Sequence, residues 1–204
     1  NYSIQFIENE FVVFLNDDLE VISDDWIESL AELLKIDKVG VVGAKLLYED
    51  HLIQHAGMYI NNTFPFTHHF LYQSDENTPD YYNFTGLIRN YSCVTGAVFA
   101  TKLTLLKKLN GFDETYSTDY NDIDYCLRIV QEGYRIVYTP HCKLYHYENS
   151  SIKRKVCDEK ASKIFYEKWE NVLAKDQFFN DKVLVELKKN LSNFKKTEPR
   201  QWST

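Results

Sequence analysis

The sequence contains little cysteine and methionine and has no long apolar run. Its four cysteines form no CxxC pair and show no zinc-like spacing, which argues against a structural zinc site and favours reduced, buried thiols. No apolar run approaches the ~18 residues that a membrane-spanning helix needs. Disulfide-rich, zinc-ribbon and transmembrane proteins are therefore disfavoured as classes.

Positive charge is also scarce. Lysine and arginine number 23 against 30 aspartates and glutamates, which gives a formal net charge of −7 and a pI near 5.4. An acidic chain without a basic excess is a poor partner for nucleic acid. Apolar residues are abundant by comparison: 44% of the 204 residues are hydrophobic and 15% are aromatic, which suffices for one sizeable core.

The most informative segment is an apolar run that ends in two carboxylates. Large apolar residues run from Phe11 to Leu15, and Asn16, Asp17 and Asp18 follow directly. The run predicts a buried strand of a parallel sheet and hence an α/β fold. Ligands bind outside the carboxyl ends of such strands, where carboxylates can hold Mg²⁺ or Mn²⁺ beside a phosphate. Taken alone, an Asp-Asp pair is more simply explained as the opening of a turn.

Apolar periodicity and turn residues divide the rest of the chain into helices, strands and one long irregular stretch over residues 61–90. Ser23 is expected to cap the first helix, and a hairpin is expected around Glu49 and Asp50. Pro140 is expected to end the last strand. The predicted helices cover residues 24–35, 101–109, 122–132, 161–169 and 183–191, and the predicted strands cover residues 39–43, 93–100 and 135–138.

Two further groups of polar residues stand at the ends of predicted elements. Asp122 and Asp124 lie at the start of a helix, and His146 follows a strand-like segment over residues 143–145. Each group has an ordinary explanation, because carboxylates cap helices and a histidine at a strand end usually makes a hydrogen bond at the surface. Together with the first carboxylate pair, they could supply both metal ligands and a base.

Seven short motifs follow one another between Phe11 and Ser151. They are Leu15-Asn16-Asp17-Asp18, Gly43-Ala44-Lys45-Leu46-Leu47-Tyr48, Gln54-His55-Ala56-Gly57, Thr95-Gly96-Ala97, Gly111-Phe112-Asp113-Glu114, Tyr120-Asn121-Asp122-Ile123-Asp124-Tyr125-Cys126-Leu127-Arg128 and His146-Tyr147-Glu148. In this order they resemble the bacterial family 2 glycosyltransferases. Within that family they are most similar to the branch that builds O-antigen, rhamnose-containing and other cell-surface polysaccharides.

The resemblance implies a Rossmann-like GT-A glycosyltransferase fold, a mixed sheet with flanking helices. We expect this domain over residues 1–151 and a helical C-terminal extension over residues 152–204. The implied activity is inverting transfer of a sugar from a nucleotide-sugar donor to a glycan or lipid-linked acceptor, with Mn²⁺ or Mg²⁺ as cofactor. The resemblance also implies a cytoplasmic location, and it leaves open whether the protein contacts the inner face of the plasma membrane.

The resemblance also assigns catalytic and metal-binding roles. Asp122 matches the family's expected general base, and Asp124 is expected to orient it. Asp18 falls at the family's DxD position as the expected metal ligand. His146 matches a late histidine that completes the metal shell in some members. Base and metal ligand must be separate carboxylates, because a metal-bound aspartate is a poor base.

Further residues are expected to contact the donor. Asp17 matches a position near the donor ribose or phosphate, and Thr95-Gly96-Ala97 matches the strand that lines the donor sugar, where a missing side chain leaves room. Lys153 and Arg154 could add positive charge beside the diphosphate from a mobile loop. A solvated basic turn is an equally good explanation of these two residues.

Two alternative functions stay open: a non-catalytic module that binds a nucleotide-sugar or glycan, and a metal-dependent phosphoester hydrolase. The sequence begins with Asn1 and its single methionine is Met58, so we expect a preceding segment that holds the base and ribose of the nucleotide. A sheet that starts at Phe11 would lose the cover of that segment. We therefore expect this chain to self-associate and to bind nucleotide weakly.

Overall fold

The computed structural model describes residues 1–77, 81–116, 119–147 and 158–179, and its centre is a seven-stranded mixed sheet. Four α-helices flank the sheet: α1 Trp26–Lys35, α2 Leu103–Lys108, α3 Asn121–Gln131 and α4 Glu159–Leu173. The strands are β1 Phe11–Leu15, β2 Leu19–Val21, β3 Val39–Leu47, β4 Ile53–His55, β5 Met58–Ile60, β6 Thr67–His69, β7 Arg89–Tyr91, β8 Val98–Lys102 and β9 Arg135–His146. Two short 3₁₀ helices cover Tyr2–Phe6 and Tyr81–Gly86.

The strand order of the main sheet is β1-β8-β3-β9-β2, with β4 paired to β3 and β7 paired to β9. The long central strands β3 and β9 run parallel to each other, and the other pairs in this sheet are antiparallel. Strands β5 and β6 form a separate antiparallel pair. The expected mixed α/β architecture is confirmed.

The prediction for β1 was wrong in two respects. The strand lies at one end of the strand order and pairs antiparallel with β8. Its side chains are half-buried from Phe11 to Phe14, rather than fully buried. The run is apolar throughout because both faces are covered: Val12 and Phe14 pack against one core cluster, and Phe11 and Val13 pack against another.

The two central strands are longer than predicted. β9 continues through Pro140 to His146, so the segment over residues 143–145 belongs to the same strand. The β3–β9 register shifts between Gly43 and Lys45, opposite the stretch that contains the proline. A proline is tolerated at such an irregularity because the ladder there does not require its missing N–H. The prediction that Pro140 ends the last strand was therefore wrong.

Other boundaries differ more modestly. The strand expected over 93–100 begins only at Val98, and the residues before it form a loop. Helix α1 begins at Trp26, and Ser23 does not cap it, since the Ser23 hydroxyl accepts a hydrogen bond from the Lys143 backbone N–H at 2.9 Å. The hairpin between β3 and β4, helices α2 and α3, and a helix around residues 161–169 are confirmed. The helix predicted over 183–191 lies outside the described residues.

Helices cover both faces of the sheet. On one face, Leu30 and Leu34 of α1 are fully buried against β3, β8 and β9. On the other, α2, α3 and α4 share one large cluster, to which α4 contributes Phe165 and Trp169. A third cluster lies around β4 and β7. Within the described ranges, the cysteines are buried free thiols, and no helix is long and apolar enough to cross a membrane.

The buried carboxylate of Asp124 joins α3 to α4. One oxygen accepts from the Arg128 Nε at 2.7 Å, and the other accepts from the Trp169 Nε1 at 3.0 Å and the Lys168 Nζ at 2.7 Å. The Arg128 guanidinium also donates to two backbone carbonyls just beyond α2. Asp124 therefore balances Arg128, shares the half-buried Lys168 with Asp113, and fixes three helices relative to one another.

Replacing Asp124 should destabilise the domain strongly. Asp124→Ala would leave Arg128 and Lys168 without their shared anion, so we expect the free energy of unfolding to fall by about 3 kcal/mol. Urea denaturation followed by circular dichroism measures this loss. Glu167→Ala is the control, because among the described residues Glu167 forms an exposed pair with Lys163 at 3.9 Å and no other ion pair. Equal midpoints for the two variants would contradict the prediction.

Candidate active site

The carboxyl ends of β1 and β9, the loop before β8 and the start of α3 meet at one corner of the sheet. Backbone hydrogen bonds hold them in place: the Asn16 N–H donates to the Ala97 carbonyl at 2.9 Å, and the Tyr147 N–H donates to the Asp18 carbonyl at 3.0 Å. Polar residues that are far apart in the sequence are thereby brought to a common site.

The imidazole of His146 lies at the centre of this site. Its Nε2 is 3.1 Å from the Asp18 Oδ1 and 3.2 Å from the Asn16 Nδ2. Its Nδ1 is 2.5 Å from the Gln54 Oε1, and the Gln54 Nε2 donates to the His146 backbone carbonyl at 3.4 Å. His146 and Gln54 are both buried, and Asp18 is half-buried.

These contacts determine which ring nitrogen of His146 carries the proton. Because the Gln54 amide nitrogen donates to a carbonyl, it is the Gln54 amide oxygen that faces Nδ1, and an oxygen can only accept. Nδ1 must therefore carry a hydrogen. In the neutral imidazole, Nε2 then carries a lone pair, which can accept from the Asn16 Nδ2–H and also lies beside the Asp18 carboxylate. Two electron-pair donors at 3.1 Å repel each other unless a proton or a cation lies with them.

This pair suits a divalent metal ion. Imidazole nitrogen and carboxylate oxygen are both ligands of Mn²⁺, and a metal-binding histidine usually donates its other N–H to an oxygen, as His146 does to Gln54. Within the described residues, no group of three or more histidines, cysteines or acids could hold a metal. Asp18 and His146 would therefore share the ion with substrate oxygens and water, as is common for Mg²⁺ bound to phosphates.

Asp122 stands on the other side of the site, at the start of α3. Its Oδ2 accepts from the Gly96 N–H at 2.6 Å, and its Oδ1 accepts from the Ile123 N–H at 2.8 Å. Burial raises the pKa of this carboxyl above its ordinary value, although the hydrogen bonds from Gly96 and Ile123 oppose part of that rise. The side chain is thus held in one orientation and is more basic than an exposed aspartate.

Gly96 makes this arrangement possible. A Cβ built on Gly96 would lie 3.0 Å from the Asp122 Cβ and 3.2 Å from its Oδ2, closer than ordinary contacts. The backbone N–H of residue 96 can approach the carboxylate only because no side chain separates them. The missing side chain therefore serves the position of Asp122 as well as the room beside it.

A cavity of about 430 Å³ connects these groups. Asp122, His146 and Asn16 line it together with Thr95-Gly96-Ala97, and apolar walls complete it. The structure thus brings the predicted base and one predicted metal ligand to the same space, together with the predicted donor strand. Asp18 contacts His146, which lines the cavity, and Asp17 is exposed nearby.

The expected catalytic residue Asp124 is not brought to this cavity. The Asp124 carboxylate contacts Arg128, Lys168 and Trp169, and it does not contact Asp122. Residues two positions apart on a helix project in nearly opposite directions, so the neighbouring aspartates of α3 serve different surroundings. Lys153 and Arg154 lie outside the described residues.

Sequence reasoning missed Gln54. It belongs to a recognisable motif over residues 54–57, but a glutamine on a predicted hairpin carries no signal of its role. Its contact with His146 joins residues 92 positions apart, which only the pairing of β4 with β3 and of β3 with β9 brings about.

A family model described as "Glycosyltransferase like family 2" matches residues 1–160. The chain belongs to this family. The O-antigen biosynthesis protein RfbC of Myxococcus xanthus is 32% identical over 153 residues, which cover 74% of this chain and 12% of RfbC. The uncharacterized protein y4gI of Sinorhizobium fredii is 36% identical over 165 residues, 80% of this chain and 18% of that protein. The chain spans less than a fifth of the length of these curated relatives.

Solved structures support the family's fold. A crystal structure of GalNAc-T7 with UDP, GalNAc and Mn²⁺ matches 83% of this chain and 34% of that chain, with a TM-score of 0.58 at 12% identity. At that identity the match concerns the fold alone. The expected GT-A architecture is confirmed.

Removing Gln54 should weaken metal binding. Gln54→Leu removes the oxygen that holds the Nδ1–H of His146, so we expect Mn²⁺ affinity to fall by about tenfold to a hundredfold, the usual effect of losing such a partner. Electron paramagnetic resonance of free Mn²⁺ measures the affinity without any substrate. Gln54→Glu keeps an accepting oxygen and should retain most of the affinity.

Two further variants complete this metal titration. Asp18→Ala should lose affinity because it removes a ligand. Gln5→Leu changes an exposed glutamine that contacts only the Tyr2 carbonyl within the described residues, and it should bind Mn²⁺ like the unaltered protein. Unchanged affinity in both Gln54→Leu and Asp18→Ala would exclude this metal site.

Proposed function

We propose that this chain carries the catalytic part of an inverting glycosyltransferase. The enzyme would transfer a sugar from a nucleotide-sugar to a glycan or lipid-linked acceptor during synthesis of a cell-surface polysaccharide. One observation carries the proposal: Asp122 and His146 line the same cavity, while the carboxylate that contacts His146 is a different one, Asp18. The relation to an O-antigen biosynthesis protein supports the choice of product.

In the proposed reaction, Asp122 accepts the proton of the attacking acceptor hydroxyl. The oxygen then bonds to the anomeric carbon as the bond to the nucleoside diphosphate breaks, which inverts the configuration. The two backbone N–H donors on Asp122 keep the carboxylate aimed without neutralising it. Its raised pKa suits proton transfer, because an ordinary aspartate is a weaker base at neutral pH.

Asp18 and His146 are the proposed holders of Mn²⁺ or Mg²⁺. When bound, the ion would absorb negative charge that develops on the departing diphosphate. The protein's own contribution is to present a carboxylate oxygen and an imidazole lone pair at 3.1 Å, with the tautomer fixed by Gln54. The Mn²⁺ in the GalNAc-T7 structure is consistent with this choice of ion.

The remaining assignments are part of the same proposal. Asp17 and the loop Thr95-Gly96-Ala97 would contact the donor, and Lys153 and Arg154 would approach its diphosphate. We also propose a cytoplasmic site of action and the division of the chain at residues 151 and 152. We propose self-association of the chain and contact with a membrane as well.

A donor screen on the protein is the direct test. UDP-, GDP- and dTDP-sugars are incubated with and without Mn²⁺, and release of the nucleoside diphosphate is scored with water and with mixed glycans as acceptors. Metal-dependent release from one donor is expected. Tight donor binding without release would favour a binding module, and release of monophosphate by direct phosphoester cleavage would favour a hydrolase.

Asp122→Asn should abolish most turnover without unfolding the protein. Asparagine has a similar shape and keeps one of the two accepting oxygens, but it cannot take up the proton, so we expect the rate to fall by about 10²–10⁴-fold. Mn²⁺ affinity and the urea midpoint should stay close to those of the unaltered protein. Near-normal turnover would assign the base to another residue.

The pH dependence should follow the carboxylate form of Asp122. A base works when deprotonated, so activity is present above the pKa and is lost as the pH falls through it. Because burial raises the pKa of Asp122, the acid limb of kcat/KM should lie above the value of about 4 for an ordinary aspartate. The residual activity of Asp122→Asn should lack this limb. An unchanged limb in that variant would show that another group titrates.

A further inference from the structure

A second cavity, of about 330 Å³, adjoins the first. His146 and Thr95 line both, so the two spaces meet at these side chains. The first cavity opens beside β1, whereas the second is lined by residues from the opposite side of the site. Its other lining residues are Gln54, Tyr59, Thr67, His68, His69 and Tyr72.

The walls of this second cavity combine aromatic rings with uncharged hydrogen-bonding groups. The rings of Tyr59 and His68 stack with centroids 5.1 Å apart, and the ring of Tyr72 lies 6.0 Å from that of His69. Burial raises the pKa of Tyr59, so its phenol stays neutral. Among the described residues, no lysine, arginine, aspartate or glutamate lines the cavity.

Hydrogen bonds fix the proton positions of two histidines on this side. The Gly57 N–H donates to the His55 Nε2 at 3.3 Å, so the ring proton of neutral His55 is on Nδ1. That nitrogen is 3.0 Å from the Nδ1 of His69, which must accept and therefore carries its own proton on Nε2. Burial, with His69 and His146 nearby, lowers the pKa of His55.

The chemistry of these walls selects an uncharged polyhydroxylated ligand. Aromatic faces attract the C–H bonds of a sugar ring, and histidine, threonine and glutamine side chains can donate to and accept from its hydroxyl groups. A phosphate or a uronic acid would meet no lysine or arginine among the described residues that form these walls. The first cavity, with Asp122 and the proposed metal ligands, differs in this respect.

We infer that the second cavity is the subsite for a neutral sugar residue of the acceptor. The inference rests on the proposed function and adds the class of acceptor to it. A sugar bound against Tyr59, His68 and Tyr72 could extend one hydroxyl past Thr95 and His146 into the first cavity, where Asp122 lies. The acceptor would thus occupy the second cavity and the donor the first, with Thr95 and His146 between them.

Saturation-transfer NMR with methyl glycosides tests this subsite without any donor. Methyl glucoside, galactoside, mannoside and rhamnoside are compared with methyl glucuronide at about pH 8, where an ordinary histidine is neutral. We expect at least one neutral glycoside to bind and the glucuronide to bind more weakly. If none of the neutral glycosides binds, or if the glucuronide binds as well as they do, the assignment is overturned.

Variants locate the binding. His68→Ala and Tyr72→Ala should each lower glycoside affinity by about threefold to tenfold, the effect of losing one aromatic contact. Tyr72 is 42% exposed, so its replacement should leave the fold intact. Tyr2→Ala is the matched control, because Tyr2 is 79% exposed and lines neither cavity. Unchanged affinity in both cavity variants contradicts the inference.

The outcome can be separated from that of the donor screen. Nucleotide release with water as acceptor needs the first cavity and does not need the second, so His68→Ala and Tyr72→Ala should retain it together with Mn²⁺ affinity. If these variants instead lose affinity for the nucleotide-sugar while glycoside binding is unchanged, the cavity belongs to the donor. If no donor reacts but glycosides bind as expected, the proposed function fails and the sugar site stands.

Discussion

The parallel pairing of β3 with β9 is the constraint on which the site depends. β9 runs for 12 residues and delivers His146 at its end, and β3 turns back through a hairpin that delivers Gln54 to the same place. β8 lies on the other side of β3 and positions the loop that contacts Asp122. Three separate segments converge because one central strand is shared among them, and a change of register in this pair would separate imidazole from amide.

The site keeps its two carboxylates under different electrostatic conditions. Asp122 is enclosed and receives two backbone N–H donors, and its pKa is raised. Asp18 lies against an imidazole whose protonation is fixed from behind by Gln54. One environment favours a group that takes up a proton, and the other favours a group that shares its electrons with a cation. Nearby Asp124 meets a third environment, paired with two cations, which explains how neighbouring acids of one helix can differ in role.

Local sequence patterns were enough to predict most helices and strands. They did not reveal how strands pair or which distant residues come into contact. The spacing of Leu30 and Leu34 correctly indicated a helix packed on the sheet, because a helix face repeats within a few residues. The apolar run of β1 indicated burial on both faces but not the direction of its neighbour, since apolar composition is the same for either. Pro140 suggested an end where the strand only becomes irregular. The carboxylates and His146 were predicted as site residues from their positions at element ends, whereas the contact of Gln54 with His146 and the second cavity depend on tertiary packing.

The close approach of Gly96 to Asp122 has a consequence for how such a sequence can diverge. A Cβ at residue 96 would lie 3.0 Å from the Asp122 Cβ, so α3 would have to move back by a few tenths of an ångström, which would lengthen the 2.6 Å N–H contact that aims the carboxylate. The two positions are therefore coupled through excluded volume, although 26 residues separate them. A side chain at residue 96 would therefore change the aim of the Asp122 carboxylate unless neighbouring residues adjust their packing.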